Sequence, residues 1–394
     1  MKKYWLLIVI AIVMTASIGT FYIQSAFATN HKPVFTIEKI DGDEKEVESL
    51  LLTGFYYNEL TYMGEKFEIS LEETKYFEDS SFFERIGGVY DSPRIKQLQK
   101  EYRHFMRGKY YGVNAYFENE DYVAYADVSY KNPYAISSEL KFSIAVLDKQ
   151  TNKINSFHHL VPNSGDFWYL NVLNVQVIDS QLKVITQNDM KESNRKETHL
   201  YTFDLVKNAL LNDETILSAE NKTDEHIELR TLHVDDPTSE RANLVLVKTN
   251  TTVSEDGYME EVTKEELVVY DIASNTSKTI NLENLSEYGY PEYVEGSNVY
   301  FVDNDENGTQ KIAIYDLASE QIVTDFDVDF PDSETMWSIG FNDGKLYFVD
   351  SFIDFEKPAH VTVVDLEDGG ILFKGEIKST DQKGTAEIYN IEFK

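Results

Sequence analysis

The stretch Ile312-Ala313-Ile314-Tyr315-Asp316-Leu317-Ala318-Ser319 contains the pattern from which the fold can be argued. Apolar residues fill its first four positions, and an aspartate follows where a polar turn begins. A short apolar run bounded by turn residues is typical of a buried β-strand. The short side chain of an aspartate at this position can accept hydrogen bonds from backbone N–H groups about two residues further on. We therefore interpret Asp316 as a structural residue at the end of a strand.

The same apolar run ending in aspartate occurs five times in the chain. The aspartates are Asp148, Asp204, Asp271, Asp316 and Asp365, at intervals of 56, 67, 45 and 49 residues by subtraction of their numbers. From the second aspartate onward, another strand-like run precedes each one, as at Val299-Tyr300-Phe301-Val302. Turn signals precede these runs most clearly at 295–298 and 342–345. Repeats of about 40–50 residues that hold several strands suit the blades of a β-propeller.

Residues 299–303, followed by 312–319, resemble the YVTN and TolB-type β-propeller repeats. The resemblance extends in weaker form to residues 345–367, 181–206 and 244–273. It implies an all-β propeller, and it identifies a fold rather than a function. Five clear units after residue 110 and one before it predict six blades, with seven as the alternative.

The last strand-like run, Ile388-Tyr389-Asn390-Ile391-Glu392-Phe393, stands at the carboxyl end of the chain. We expect it to pair with strands from the amino end of the domain, because such pairing removes a free sheet edge.

The first third of the chain contains one clear helical pattern, which predicts a helix near 92–107. Ser92 is a good N-cap and Pro93 a good first helical residue. Gly108 supplies a stop. The apolar positions at helical spacing are Ile95, Leu98, Tyr102 and Phe105. The region 29–108 is therefore either a first blade with an inserted helix or a small separate domain, and residues 109–394 hold the propeller repeats.

The amino end has the composition of an export signal. Lys2 and Lys3 precede residues 4–31, which contain no Asp, Glu, Lys or Arg. Ala26-Phe27-Ala28 matches the A-x-A cleavage pattern and gives Thr29 as a mature start. The same stretch is long enough to span a bilayer, which needs about 20 apolar residues. Residues 1–28 are therefore predicted to be a signal peptide or an uncleaved membrane anchor. The remainder would then be extracytoplasmic, either secreted or anchored to the outer face of the cell membrane.

The composition limits the kinds of site and partner that the protein can have. The 394 residues include no cysteine, which excludes disulfides, thiolate metal sites and cysteine nucleophiles, and indicates a bacterial origin for an exported chain. Hydrophobic residues make up 42% of the chain, enough for a sizeable core. The formal net charge is −33. A field of this sign repels phosphate backbones, so nucleic acid is not an expected partner, and it attracts cations and basic polypeptides.

One local motif points to calcium. Asp303-Asn304-Asp305-Glu306-Asn307-Gly308 matches the D-x-[DN]-x-[DN]-G opening of an EF-hand loop. The oxygens of Asp303, Asp305 and Asn307 could converge on one calcium ion. The twelfth position is Ile314, where a bidentate glutamate would be required. Asn-Gly between two strands is a hairpin signal, so we favour a plain turn and keep these three residues as alternative calcium ligands. No other cofactor is predicted.

Other candidate sites are weaker. His226, Glu228 and His233 could contribute to a metal site, but a surface strand is the favoured interpretation. His158 and His159 are adjacent on a strand and should point to opposite faces. The sequence contains no G-x-S-x-G elbow, no phosphate-binding P-loop and no G-x-G-x-x-G. With 69 acidic residues, paired carboxylates discriminate nothing.

Tyrosines crowd two regions of the chain. The first holds Tyr110, Tyr111, Tyr116, Tyr122, Tyr125, Tyr130 and Tyr134, and the second Tyr288, Tyr290 and Tyr293. Exposed aromatic platforms bind sugars or peptides, but packing between blades uses the same residue type and is the favoured interpretation.

The sequence thus predicts a non-enzymatic binding module at the cell envelope. The partner would be an envelope protein, a peptide or a glycan, recognised where loops from several blades converge. One alternative is an extracytoplasmic hydrolase or lyase on the same scaffold, which would show a deep pocket with acidic or histidine side chains of shifted pKa. Another is a sensor or regulator that is tethered by an uncleaved anchor.

Overall fold

The structure is a computed structural model. It describes residues 13–15, 20, 32–57, 64–80, 92–110, 112–130, 139–191, 194–254, 259–304, 309–329, 337–353, 359–380 and 384–394. The predicted signal or anchor at 1–28 lies outside these residues, apart from 13–15 and 20. Within the described ranges, no helix combines the length and the apolar character that crossing a membrane requires.

The chain divides into two compact units. The first contains Met1–Val89, Thr335–Gly340 and Lys345–Lys394, and the second contains Tyr90–Glu334 and Phe341–Gly344. Both units consist mainly of antiparallel β-sheet.

Strands and connecting turns alternate along most of the chain. The amino-terminal strands are β1 (Phe35–Gly42), β2 (Leu50–Tyr57), β3 (Gly64–Ile69) and β4 (Thr74–Tyr76). The helices are α1 (Pro93–Glu101) and α2 (Arg103–Met106). The next strands are β5 (Tyr116–Glu118), β6 (Tyr122–Tyr130), β7 (Leu140–Asp148), β8 (Lys153–Leu160), β9 (Phe167–Ile178), β10 (Gln181–Met190), β11 (Arg195–Asp204), β12 (Ala209–Glu220), β13 (Glu225–Thr231), β14 (Asn243–Val253), β15 (Met259–Asp271), β16 (Thr276–Asn281), β17 (Tyr290–Glu295), β18 (Asn298–Asn304), β19 (Thr309–Asp316) and β20 (Gln321–Asp329). The last strands are β21 (Trp337–Asn342), β22 (Lys345–Asp350), β23 (Phe352–Ile353), β24 (Ala359–Asp365), β25 (Ile371–Ser379) and β26 (Thr385–Phe393).

The first unit joins the two ends of the chain through two five-stranded sheets. Their strand orders are β1-β25-β24-β22-β21 and β23-β26-β2-β3-β4. β2 runs antiparallel to β26, with Leu50 opposite Phe393 and Tyr57 opposite Thr385. The predicted pairing of the last strand with the amino end of the domain is therefore confirmed. Buried apolar side chains from both sheets, such as Phe35, fill the core of this unit.

The second unit contains four sheets of four antiparallel strands each. Each sheet uses four consecutive strands, namely β5–β8, β9–β12, β13–β16 and β17–β20. Sheets of this kind are the building block of β-propeller blades. Buried apolar residues from β6, β7, β9, β10 and β11 form one core cluster between the first two of these sheets.

The recurring aspartates occupy the predicted strand ends. β7, β11, β15, β19 and β24 end at Asp148, Asp204, Asp271, Asp316 and Asp365. Each carboxylate accepts a hydrogen bond from a backbone N–H two or three residues further on, at 2.7–2.9 Å. Four positions after each aspartate, the backbone adopts a positive φ, at Asn152, Asn208, Asn275, Glu320 and Gly369. The aspartates are structural residues of hairpin turns, as predicted.

The predicted helix near 92–107 forms, but it is interrupted. The Ser92 hydroxyl accepts a hydrogen bond from the Ile95 N–H at 3.3 Å, as expected of an N-cap. α1 ends because Tyr102 leaves helical geometry, with φ −119 and ψ 44. Its phenol donates a hydrogen bond to Glu118 at 2.6 Å. Gly108 follows α2 with φ +73 and confirms the predicted stop.

Candidate functional site

The predicted calcium loop is only partly within the described residues. Asp303 lies on β18 opposite Lys311, whereas Asp305 and Asn307 lie outside the described residues. Asp303 also lines a groove of about 610 Å³, the Tyr290 groove, together with Glu265 and Tyr290. In the described part of the chain, no group of three or more His, Asp and Glu residues could hold a metal ion. Calcium binding at 303–308 stays a prediction.

The histidines of the sequence analysis do not form a cluster. His233 is solvent-exposed at its surface, its ring lies 6.0 Å from that of Tyr293, and partial desolvation by this packing lowers its pKa. His158 is exposed and contacts the Ser143 hydroxyl at 3.2 Å, whereas the half-buried His159 packs edge-on against Phe203. The opposite orientation of these two neighbours is confirmed.

The tyrosines divide between packing and exposure. Tyr116, Tyr125 and Tyr293 are buried, so these three rings pack in the interior and do not form an exposed platform. Tyr110 and Tyr290 are 59% and 58% exposed. Tyr111, Tyr134 and the side chain of Tyr130 lie outside the described residues.

A cleft of about 470 Å³ lies at one end of the β9–β12 sheet. We call it the Trp168 cleft. Its lining is mainly polar and cationic, and consists of Trp168, Asp189, Met190, Lys191, Asn194, Arg195, Lys196 and Asn221. Strands β9 and β11 begin here, and β10 and β12 end here, so four strand ends supply the site.

A local irregularity aims Trp168 into the cleft. In the β9–β10 pairing, Asp189 lies opposite Tyr169, and Met190 lies opposite Phe167. The register shifts between these two pairs, so Trp168 has no residue opposite it on β10. Such bulges redirect side chains near sheet edges and functional sites. Trp168 is 53% exposed, an unusual position for a large apolar ring.

Three cations line the cleft together with this ring. The Lys191 ammonium lies 5.8 Å from the Trp168 ring centroid and donates a hydrogen bond to the Gly165 carbonyl at 2.8 Å. Lys196 lies opposite Asp189 in the β10–β11 pairing. The third cation is Arg195, whose side chain is 37% exposed. Asp189 is the single carboxylate among the lining residues that the structure describes, and their summed charge is positive.

The Arg195 side chain forms an ion pair with Glu197. The two lie two residues apart on β11, with Arg195 Nε 3.1 Å from Glu197 Oε1. The other oxygen of Glu197 lies 2.9 Å from His199 Nε2. His199 Nδ1 lies 2.8 Å from Asp213 Oδ1 on β12. A chain of four ionisable side chains therefore runs from the cleft into the sheet.

The imidazole of His199 is buried between these carboxylates. Burial alone lowers the pKa of His199, but the hydrogen bonds and charges of Asp213 and Glu197 outweigh burial and raise the pKa above 6.5. The ring stacks on Tyr201, with centroids 5.6 Å apart. The protonated form is therefore the one that this site stabilises.

The positive lining contrasts with the rest of the chain. The protein carries 69 acidic and 36 basic residues. Cations grouped in an acidic background create a local attraction for anions that the global field opposes. An exposed indole with neighbouring ammonium and guanidinium groups can stack on a ring and hold a carboxylate, sulfate or phosphate group.

A second feature of this unit is the segment 232–242, which links β13 to β14. The Thr238 carbonyl accepts a hydrogen bond from the Glu118 N–H at 2.7 Å. The Arg241 carbonyl accepts one from the Gln176 amide at 3.0 Å. The segment is therefore hydrogen-bonded to β5 and to β9.

The cleft was not predicted from the sequence. The available signal is the group Lys191, Arg195 and Lys196, three cations within six residues of a strongly acidic chain. The sequence alone could not place Trp168 in the same site as these cations, because its position depends on the register of the β9–β10 hairpin.

Comparisons with known proteins do not assign the chain to a family. No family model matches it, and no curated protein matches it. Among solved structures, it is similar to a cobalt-substituted apocarotenoid oxygenase from Synechocystis, at 9% identity and a TM-score of 0.42, over 92% of this chain and 96% of that one. It is also similar to a polysaccharide lyase, at 11% identity and a TM-score of 0.34, over 68% of this chain and 57% of the lyase. The third is an acylaminoacyl peptidase from Pyrococcus horikoshii, at 10% identity and a TM-score of 0.31, over 65% of this chain and 44% of the peptidase. Similarities of this size assign neither a family nor a function.

Proposed function

We propose that this protein is an exported binding module that takes an anionic glycan in the Trp168 cleft. The observation that carries the proposal is that Lys191, Arg195 and Lys196 line one cleft with an exposed tryptophan, in a chain of net charge −33. A solvated acidic surface needs no such group.

The chemistry of the cleft favours a charged sugar over other anions. The indole face stacks on the apolar face of a pyranose ring, and the cations hold its carboxylate or sulfate substituents. Nucleic acid also combines rings with anions. Its continuous phosphate charge, however, meets the repulsion of the whole protein, whereas a glycan can place a few charges in the cleft alone.

The scaffold and the location belong to the same proposal. The six sheets in the described residues would be the blades of a six-bladed β-propeller, with β2 and β26 joining the chain ends within one blade. Residues 1–28 would direct the protein across a membrane, as a cleaved signal or as an anchor. Rigid sheets would then present the cleft to glycans of the cell envelope.

The test is retention on an immobilised acidic polysaccharide. Full-length protein should be retarded in affinity electrophoresis by polygalacturonate or by dextran sulfate, and not by neutral dextran. Trp168→Ala and Arg195→Gln should each remove most of the retardation. The matched control is Lys207→Gln, because Lys207 is a 75% exposed lysine at the opposite end of the β11–β12 hairpin. Equal retardation by dextran, or retention that survives both cleft variants, would overturn the proposal.

A further inference from the structure

We propose that His199 is a positioning residue for the Trp168 cleft, and that through the shared carboxylate Glu197 it sets how much of the Arg195 charge faces an anionic ligand. The inference rests on the proposed function of the cleft. It adds a pH dependence that the lining residues alone do not supply, because no histidine is among the lining residues that the structure describes.

The geometry around the imidazole requires two donors. Nε2 lies 2.9 Å from a Glu197 oxygen, and Nδ1 lies 2.8 Å from an Asp213 oxygen. A neutral imidazole has one N–H and one acceptor nitrogen, whereas an imidazolium has two N–H groups. Only the charged ring can therefore donate to both carboxylates at once.

The groups that face His199 are few. Its own strand contributes Glu197 and Tyr201, and β12 contributes Asp213 with the neutral Thr215. β10 places Thr186 opposite it, and β9 brings the edge of Phe167 to it. Loss of the proton therefore acts on the two carboxylates first.

Deprotonation changes what Glu197 does. With His199 charged, the two positive charges of Arg195 and His199 neutralise the two negative charges of Glu197 and Asp213. Glu197 then contacts both cations. With His199 neutral, one carboxylate loses its donor. Glu197 has a second cation 3.1 Å away and turns fully to Arg195. The guanidinium is then drawn from the cleft, and the cluster carries one more negative charge beside the ligand.

The expected consequence is tighter binding of anions at lower pH. Dextran sulfate is the probe, because sulfate esters stay ionised throughout. Its Kd for the full-length protein should rise about three- to tenfold between pH 5.5 and 8.5, the effect of one charge at close range in a partly solvated site. His199→Gln should bind weakly with a flat profile. Glu197→Gln should bind tightly with a shallower profile than the wild type, because the Arg195 charge is no longer redirected and only the charge of His199 itself changes. His158→Gln, which changes an exposed histidine, should keep the wild-type slope.

Two results would overturn the inference. One is a wild-type pH slope that persists in folded His199→Gln protein, as judged by near-UV circular dichroism. The other is Glu197→Gln and His199→Gln moving the affinity in the same direction.

A measurement without ligand separates this inference from the proposed function. A double-mutant cycle on unfolding, with Arg195→Gln and Glu197→Gln, reports the coupling between these two side chains. The coupling should be larger at pH 8.5 than at pH 5.5, and equal at both in a His199→Gln background. Equal coupling in the wild-type background would contradict the role of His199 even if the cleft binds. If no polysaccharide bound, the proposed function would be wrong. The double-mutant cycle would still test whether His199 controls the coupling between Arg195 and Glu197.

Discussion

The carboxylate of Asp316 accepts a hydrogen bond from the Ser319 backbone N–H at 2.8 Å, and so closes the turn that follows β19. Hydrogen bonds from the Ser319 hydroxyl and backbone lower the pKa of Asp316 to about 2. The same contact recurs after Asp148, where the Thr151 N–H donates at 2.7 Å. One residue type thus ends successive strands and fixes the turns between them.

The first prediction concerns acid stability. The pKa of Asp316 in the folded state is about 2, below its ordinary value of 3.8, so the ionised form favours folding. This contribution is complete above pH 3.8 and is lost as the pH falls toward 2. Asp316→Asn should therefore lower the urea midpoint at pH 7, and the difference from wild type should shrink steadily below pH 4. A difference that stays constant down to pH 2 would contradict the role given to this carboxylate.

The second prediction concerns the fourth residue after the same aspartate. Glu320 adopts φ +56, where the corresponding residues are Asn152, Asn208, Asn275 and Gly369. Asparagine tolerates left-handed backbone better than glutamate does. Glu320→Asn should raise the free energy of unfolding by about 0.5–1 kcal/mol.

The control for this change is Glu320→Gln. It removes the exposed ion pair with Lys278 but keeps the unfavourable backbone, so it should be neutral or slightly destabilising. Equal stabilisation by both variants in urea unfolding would show that charge rather than backbone strain is responsible.

These turns explain how much of the fold could be predicted. Apolar runs that end in aspartate depend only on local chemistry, so β7, β11, β15, β19 and β24 could be placed from the sequence. The cap at Ser92 and the stop at Gly108 are local for the same reason. Pairing of β26 with β2 could be inferred because free sheet edges are unfavourable.

The remaining features depend on residues that are distant in sequence. α1 ends at Tyr102 because its phenol reaches Glu118 on β5, and no helix signal records that contact. The Trp168 cleft depends on the register shift between β9 and β10. A change of one residue in this register would turn the Trp168 side chain to the other face of the sheet. His199 has two carboxylate partners only because Asp213, which lies opposite Tyr201 on β12, is within hydrogen-bond distance of it.

The third prediction concerns the anchoring of α1. Glu118 accepts hydrogen bonds from Arg94 at 2.9 Å, Tyr102 at 2.6 Å and Lys149 at 2.6 Å. Burial raises the pKa of Glu118, but these partners outweigh it, and the pKa falls below 4.5. The stabilisation is therefore present above pH 4.5 and is lost as the pH falls through the lowered value.

Glu118→Gln should cost about 2 kcal/mol at pH 7, because the partly buried Lys149 loses its carboxylate partner and, among the carboxylates that the structure describes, Arg94 keeps only Asp236. Hydrogen exchange of α1 should accelerate along with the loss of stability. Glu38→Gln breaks an exposed pair with Lys378 and should change stability by less than about 0.5 kcal/mol. If α1 exchanged at the wild-type rate in Glu118→Gln, the anchoring role would be wrong.

The fourth prediction compares two glycines with positive φ. Gly289 has φ +82, and a Cβ there would lie 2.3 Å from the Val302 carbonyl oxygen. Gly296 has φ +58, and a Cβ there would meet nothing within 4 Å. Both alanine variants carry backbone strain, but only Gly289→Ala forces β18 to move. Gly289→Ala should therefore be less stable than Gly296→Ala by about 2 kcal/mol in urea unfolding. Equal losses would place the cost in backbone strain alone.

The most direct measurement of the binding proposal uses Trp168 as the only tryptophan fluorophore. The chain has three tryptophans, so the variant Trp5→Phe, Trp337→Phe leaves Trp168 to report. Titration with polygalacturonate or dextran sulfate should change its emission saturably, and about 1 M salt should abolish the change by screening the cations. Neutral dextran should have no effect. An emission that stays unchanged with both acidic polysaccharides, or that responds equally to dextran, would contradict an anionic glycan site at the Trp168 cleft.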